Sequence, residues 1–191
     1  LSRAASLAEP IENEHVLCYM DLDQFKIVND TCGHIAGDEL LRQLADILRR
    51  RIRDTDTVAR LGGDEFAILF QHCRMDAAQR IAEGLLAQIR GYRFVWQGQA
   101  FDVGASIGLI SIDSSEQGIS DIMSAADVAC YAAKDAGRNR VHIYNPDDTE
   151  LKQRHGEMRW VSRIKKALEE DRFCLHGQRI APVADVSRGA P

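Results

Sequence analysis

Short continuous apolar runs alternate along this chain with longer stretches whose apolar residues recur at helical spacing. HVLCYMDLD (15–23) is an apolar run bounded by acids, which predicts a buried strand. In GDELLRQLADILRRRIRD (37–54), Leu40, Leu41, Leu44, Ile47, Leu48 and Ile52 fall on one face, predicting an amphipathic helix. TVARL and EFAILF flank Gly62-Gly63 as the two arms of a hairpin. The helical period returns over 76–90 through Ala78, Ile81, Leu85 and Ile89. Residues 92–112 read as strand, Gln97-Gly98 turn, strand. ISDIMSAADVACYAAKDAG (119–137) is a helix of small residues stopped by Gly137, and RVHIYN (140–145) is a last strand. Hairpins and helices in this order imply an α/β (α+β) fold, a mixed sheet under helices rather than a parallel βαβ series.

Beyond Asn145-Pro146-Asp147-Asp148 the pattern changes, which puts a domain boundary near 147. Residues 150–172 are highly charged, with Met158, Val161, Ile164 and Leu168 spaced for a helix, and 172–183 read as a strand. The chain is 45% hydrophobic and 28% charged, enough for a buried core. A formal net charge of -5 argues against a surface that coats a nucleic acid polymer but permits a local basic pocket. No stretch reaches the roughly 20 apolar residues of a membrane span. The five cysteines are scattered, with no C-x-x-C, which fits reduced thiols better than a disulfide framework or zinc site. Any metal is therefore expected on oxygen.

Candidate chemistry starts at Asp21, at the end of the first strand, and at Asp64 and Glu65, beside Gly62-Gly63. A lone strand-terminal acid ordinarily just faces solvent. If strands 16–20 and 66–70 are neighbours, however, these acids meet at one edge, repel, and suit a divalent cation such as Mg²⁺. Gly62 and Gly63 can adopt φ > 0 and let a phosphate approach the backbone. Metal beside phosphate points to phosphoryl or nucleotidyl transfer.

Gly62-Gly63-Asp64-Glu65-Phe66, together with D-x-D-x-F-K-x-x-N-D-x-x-G-H-x-x-G-D-x-x-L from Asp21 to Leu41, resembles the GGDEF domain of bacterial diguanylate cyclases over roughly 11–147. The family makes cyclic di-GMP from two GTP molecules on a palm-like nucleotidyl-cyclase fold with a mostly antiparallel central sheet. The resemblance implies that Asp21, Asp64 and the Leu22 carbonyl bind Mg²⁺, for which Mn²⁺ can substitute. Glu65 is implied as a second acid at the metals or as acceptor of the 3′-hydroxyl proton. Asn29 and Asp38 would read guanine, chemistry that an amide and a carboxylate can supply. Taken alone, Asn29 would be a turn residue and Asp38 a helix-start acid. Lys26 is in reach of the triphosphate, Gly63 admits it, Phe25 packs the loop, and His34 is expected to bond the turn backbone. Lys134 and Arg138 would be an ordinary helix-end pair on their own; the resemblance assigns them to the terminal phosphates. Arg53 and Asp56, an R-x-x-D before the signature, take the place of the family's inhibitory site for cyclic di-GMP.

The family's opening D-x-L-T-G-L-x-N-R is not found, so the resemblance implies a domain, 1–147, lacking its extreme N-terminal segment. Residues 148–191 resemble a linker helix and the first strand of a truncated EAL phosphodiesterase domain, with Gln178-Arg179-Ile180 where that strand carries a Q-P-I-like segment. The implied partners are GTP, cyclic di-GMP as product and inhibitor, a second GGDEF domain in a catalytic homodimer, and an adjoining EAL domain. The implied location is the bacterial cytoplasm, including the cytoplasmic part of a membrane-anchored protein. An active cyclase, a silent GTP-binding module that regulates an EAL neighbour, and a nucleotide-free scaffold are the readings; the last leaves the polar motifs unexplained.

Overall fold

Alternation along one strand divides the molecule into two cores. The protein's structure, a computed structural model, describes residues 14–112, 118–145, 167–168 and 170. Strand β1 (His15–Asp23) has both faces covered. Val16, Cys18, Met20 and Leu22 enter one hydrophobic core, and Leu17 and Tyr19 enter the other. The two-residue period of a strand makes this split automatic. It also explains why HVLCYM is apolar throughout rather than alternating with polar residues.

After β1 the chain gives α1 (Phe25–Cys32), α2 (His34–Arg49), β2 (Thr57–Gly62), β3 (Glu65–Phe70), α3 (Met75–Gly91), β4 (Arg93–Trp96), β5 (Gln99–Asp102), β6 (Gly104–Ile112), α4 (Ile119–Asp135) and β7 (Val141–Ile143). Five strands form one sheet in the order β2-β3-β1-β6-β7, and β4-β5 form a separate two-stranded ribbon. Pairing is antiparallel except between β6 and β7, which run parallel across the α4 crossover. The mostly antiparallel sheet under helices agrees with the sequence pattern.

Three expectations are corrected. The segment 25–32, not anticipated as helical, forms α1: Gln24 turns the chain at φ 62, and Gly33 at φ 82 separates α1 from α2. The helix expected over 37–54 starts at His34 and ends at Arg49, so Ile52 lies beyond it and only partly buries against the core. The strand expected after Gln97-Gly98 is two strands in two different sheets, broken at Val103. Gln97 and Gly98 both have positive φ, 47 and 84, which suits the tight β4-β5 hairpin.

One face of the five-stranded sheet carries α2 and α3 through Leu40, Leu44, Leu48, Leu85 and Ile89. The other carries α4 through Ala125, Ala126 and Cys130. A Cβ added to Gly108 of β6 would lie 2.4 Å from the Cys130 nitrogen, 2.5 Å from the Ala126 oxygen and 2.8 Å from the Ala129 carbonyl carbon. Helix and strand therefore meet backbone to backbone, which a small-residue helix allows. Gly137 ends α4 as expected, with Arg138 N–H bonded to the Ala133 carbonyl at 3.0 Å and Gly137 N–H to that of Lys134 at 3.2 Å.

By internal contacts the chain divides into Leu1–His155 and Gly156–Pro191. The sheet and helices above belong to the first unit. The expected 150–172 helix and 172–183 strand lie outside the described residues, apart from Ala167–Leu168, which are helical, and Glu170. Among the described residues no helix is long and apolar enough to cross a membrane.

Because the Gly108 contacts are with main chain, Gly108→Ala cannot be absorbed by a side-chain rotation. It is expected to destabilise the domain by more than about 2 kcal/mol, the upper part of the overpacking range. Urea denaturation of the two proteins reads this directly.

Candidate functional site

The register of the sheet brings the acids together. Asp21 of β1 is the cross-strand partner of Glu65 on β3, and Leu22 N–H donates to the Asp64 carbonyl at 3.2 Å. Directly opposed residues stand roughly 5 Å apart at Cβ, so two carboxylates here repel. Asp64 follows Gly63, which turns at φ 50; Gly62, by contrast, lies in β2 at a register shift and needs no positive φ. Neither glycine has any atom within 4 Å of an added Cβ, so the turn surface is open. Arg60 closes the turn by donating Nε and Nη2 to the Gly63 carbonyl at 3.0 and 2.8 Å.

Across this edge lies the last turn of α4. Lys134 Nζ is 2.7 Å from Asp21 Oδ2. Burial pushes the Asp21 carboxyl up to about 6; Lys134 opposes that rise, and the charges of Asp64 and Glu65 add to it. Burial alone would lower the Lys134 ammonium, but the bond and charge of Asp21 outweigh it and hold it above its ordinary value. Tyr19, two residues before Asp21 on the same face, donates its hydroxyl to Glu65; burial first, then that bond, keep it protonated. Carboxylate and main-chain carbonyl oxygens are the donor chemistry that Mg²⁺ takes. Asp21, Asp64, Glu65 and the Leu22 carbonyl thus fit a hard cation by type. Among the described residues, no three acidic, histidine or cysteine side chains are already drawn into a metal cage.

Sequence reasoning gave no role to Asp23, and the structure supplies one. Its Oδ1 accepts from Ser106 Oγ at 2.8 Å and its Oδ2 from Asn139 N–H at 2.9 Å. Arg90 of α3 donates Nε to Asn139 Oδ1 at 2.8 Å and Nη2 to the Asn139 carbonyl. These bonds fasten a segment in which Gly137, Arg138 and Asn139 all have positive φ, at 111, 60 and 52. Such a run is costly for non-glycine residues and persists only when its surroundings hold it. Its result is an exposed Arg138 just beyond Lys134. The signal for Asp23 was the D-x-D spacing itself, which puts both acids on one face of β1.

Asn29 and Asp38 sit on α1 and α2. The Asn29 Oδ1 atom is buried without a hydrogen-bond partner. It lies against Gly37, where an added Cβ would be 2.0 Å away. Asp38 is exposed and opens onto a cavity of about 390 Å³ with Arg42, Val58, Arg60 and Phe66 in its wall. None of Asp21, Asp64 and Glu65 lines that cavity. Phe25 packs against the core as expected, and Lys26 is exposed in the first turn of α1. His34 does not bond the turn: it begins α2 exposed, and Gly33 makes the turn through its N–H to the Asn29 carbonyl at 2.9 Å.

With this geometry in place, comparison with known proteins is decisive. Residues 1–140 match the family described as "Diguanylate cyclase, GGDEF domain". The chain belongs to the GGDEF family. Over 132 residues, 69% of its length, this GGDEF chain is 46% identical to the probable diguanylate cyclase DgcE of Escherichia coli, covering 12% of that protein. It is 34% identical to the cyclic di-GMP phosphodiesterase PdeB of Shewanella oneidensis over 179 residues, 94% of this chain and 20% of PdeB. It thus spans an eighth to a fifth of these relatives. The X-ray structure of an EAL/GGDEF domain protein from M. capsulatus superposes with TM-score 0.64 at 36% identity, covering 70% of this chain and 86% of that one.

In this GGDEF domain Arg53 and Asp56 stand at the far end of β2 from the signature turn. Six residues of strand separate the two, roughly 20 Å at about 3.3 Å per residue. Asp56 serves its own turn: Oδ2 accepts from Arg53 N–H at 3.0 Å, and Oδ1 from Gln71 N–H at 3.1 Å. The Arg53 side chain is exposed.

Gly37→Ala tests the Asn29 placement. The clash is with Oδ1, the mobile end of a side chain, and the Phe25 ring edge at 3.0 Å. If Asn29 reads guanine, guanine-nucleotide affinity is expected to fall about tenfold, the cost of one misplaced base contact, and unchanged affinity would remove Asn29 from the site. Urea stability is expected to fall less than in Gly108→Ala. Isothermal titration with GTP, beside the denaturation curve, gives both readings.

Proposed function

We propose that this domain is a diguanylate cyclase that condenses two GTP into cyclic di-GMP with release of two pyrophosphates. The observation that carries the reading is the Asp21–Glu65 cross-strand pair with Asp64 beside it and Lys134 above. Asn29 and Asp38 hold the guanine; Lys26, Lys134 and Arg138 hold the phosphates; open Gly63 admits them to the turn. Asp21, Asp64 and the Leu22 carbonyl are the proposed ligands of Mg²⁺, which when bound supplies positive charge at the reacting phosphate. Glu65, fixed by Tyr19, stands either at the metal or where it can take the 3′-hydroxyl proton.

One GTP binds per domain, and two domains face each other. Each 3′-oxygen loses its proton and bonds to the α-phosphorus of the opposite nucleotide, and the bond from that phosphorus to the β-phosphate bridging oxygen breaks. Positioning and electrostatics account for most of the rate. The setting proposed is the cytoplasm, where GTP is available.

PdeB, a phosphodiesterase matched over 94% of this chain, favours a second reading. In it the domain binds GTP without turnover and regulates an adjoining EAL domain. Incubation of the purified chain with GTP and Mg²⁺, with products resolved by chromatography, separates the two. GTP binding with no cyclic di-GMP would select the regulatory module.

Asp64→Asn removes a ligand charge at an exposed turn rather than a core contact. Synthesis is expected to be lost with the circular dichroism spectrum unchanged; full activity with Mg²⁺ would remove Asp64 from the site. Arg53→Ala tests product inhibition, since a guanidinium can clamp phosphate and stack on guanine. The initial rate is expected to stay near wild type while cyclic di-GMP binds at least tenfold more weakly, as read by direct titration and progress curves. Unchanged product affinity would make Arg53 a solvated arginine only.

A further inference from the structure

The acidic edge already holds a cation of its own. Lys134 Nζ lies 2.7 Å from Asp21 Oδ2, with 31% of the lysine side chain and 13% of the aspartate exposed. Ion pairs elsewhere, Arg42 with Glu39 and Asp46 and Asp76 with Arg74 and Arg80, join more exposed side chains on or beside helices. Among the described residues Lys134 is the side-chain cation paired at this edge, and its contact is with Asp21.

The lysine is delivered to this point by the backbone. The Cys130 nitrogen would be 2.4 Å from a Cβ at Gly108, so α4 lies directly on β6 at that level. Lys134 stands about one helical turn, roughly 5.4 Å, further along the same face. That step carries its ammonium to the end of β1, where Asp21 ends the apolar run. A free-swinging surface lysine would have solvent as an alternative; this one is tethered over a half-buried carboxylate.

A divalent ion taking Asp21 Oδ2 would sit about 2.0–2.1 Å from the oxygen that the ammonium already holds. Ammonium and metal cannot both hold Oδ2 without bringing two positive charges into contact. A triphosphate removes the conflict, because it gives the displaced ammonium a new anion within the same site. Building on the metal assignment proposed above, we propose that Lys134 is a built-in competitor for the metal position on Asp21, released to the phosphates only when nucleotide arrives. The site is then specific for metal that enters as its nucleotide complex and discriminates against free divalent cation.

The test is titration of the full chain with Mn²⁺ alone, following free Mn²⁺ by electron paramagnetic resonance, for wild type, Lys134→Met and Lys134→Arg. The expected result is counter to a simple loss of function. Lys134→Met should bind Mn²⁺ about tenfold more tightly than wild type, the scale of one charge-assisted hydrogen bond removed from competition. Lys134→Arg, which keeps a cation over Asp21, should stay near wild type, and Lys134→Met should bind Mn²⁺–GTP more weakly. Equal or weaker Mn²⁺ affinity in Lys134→Met overturns the inference.

A second measurement needs no variant. In wild type, acylation of Lys134 by acetic anhydride, read by mass spectrometry, should rise when Mn²⁺ is added alone and fall again with a non-hydrolysable GTP analogue. Acylation unchanged by saturating Mn²⁺ also overturns the inference. The two readings fail separately. A gain in Mn²⁺ affinity without cyclic di-GMP synthesis removes the cyclase reading and leaves the competitor standing. Synthesis without that gain removes the competitor alone.

Discussion

The contact of α4 with β6 at Gly108 sets the geometry on which the site depends. With any side chain there, helix and strand would be held apart by the width of a methyl group or more. The small residues of α4 exist to meet that strand: Ala125, Ala126, Ala129, Cys130, Ala132 and Ala133 are all buried. Their contribution to hydrophobic stabilisation is modest for each residue, since little apolar area goes with each one. What they provide is proximity. A cation on the helix and an acid on the strand can reach 2.7 Å only if the two backbones are already close.

Strand β1 then shows how one run of residues serves two ends. Its even-numbered residues are given over to the larger core. Its odd-numbered residues pass from Leu17 through Tyr19 to Asp21 and Asp23, from oil to acid along a single face. The four positions have different work: packing, orientation of Glu65, the acid edge, and anchorage of the loop after α4. The two aspartates of D-x-D are therefore not equivalent. Asp21 faces other carboxylates, while both oxygens of Asp23 accept hydrogen bonds from the protein.

Much of this was legible in the sequence because it follows from period and composition. The apolar run of β1, the spacing in α2 and α3, the Gly62-Gly63 hairpin and the Gly137 stop are local signals, and each has its counterpart in the structure. The convergence of Asp21 with Asp64 and Glu65 was legible as a condition, that β1 and β3 be neighbours, which the register satisfies. The rest depended on distant partners. FKIVNDTC is too short to show a helical period, and α1 owes its start to Gln24 in a left-handed conformation. The break at Val103 follows from β6 leaving the ribbon to pair with β1. Gly108 reads as one glycine among many until the helix above it is known, and Arg90 and Asn139 are 49 residues apart.

Both oxygens of Asp56 already accept backbone N–H groups, so the turn before β2 depends on this carboxylate whether or not any ligand is present. The arginine three positions earlier lends only its N–H to that turn, which any residue but proline could do. Loss of the aspartate would therefore disturb the turn itself, whereas loss of the arginine side chain would not. In the product site proposed for Arg53 and Asp56, the aspartate would thus answer to the turn as well as to any ligand, and the arginine side chain to the ligand alone.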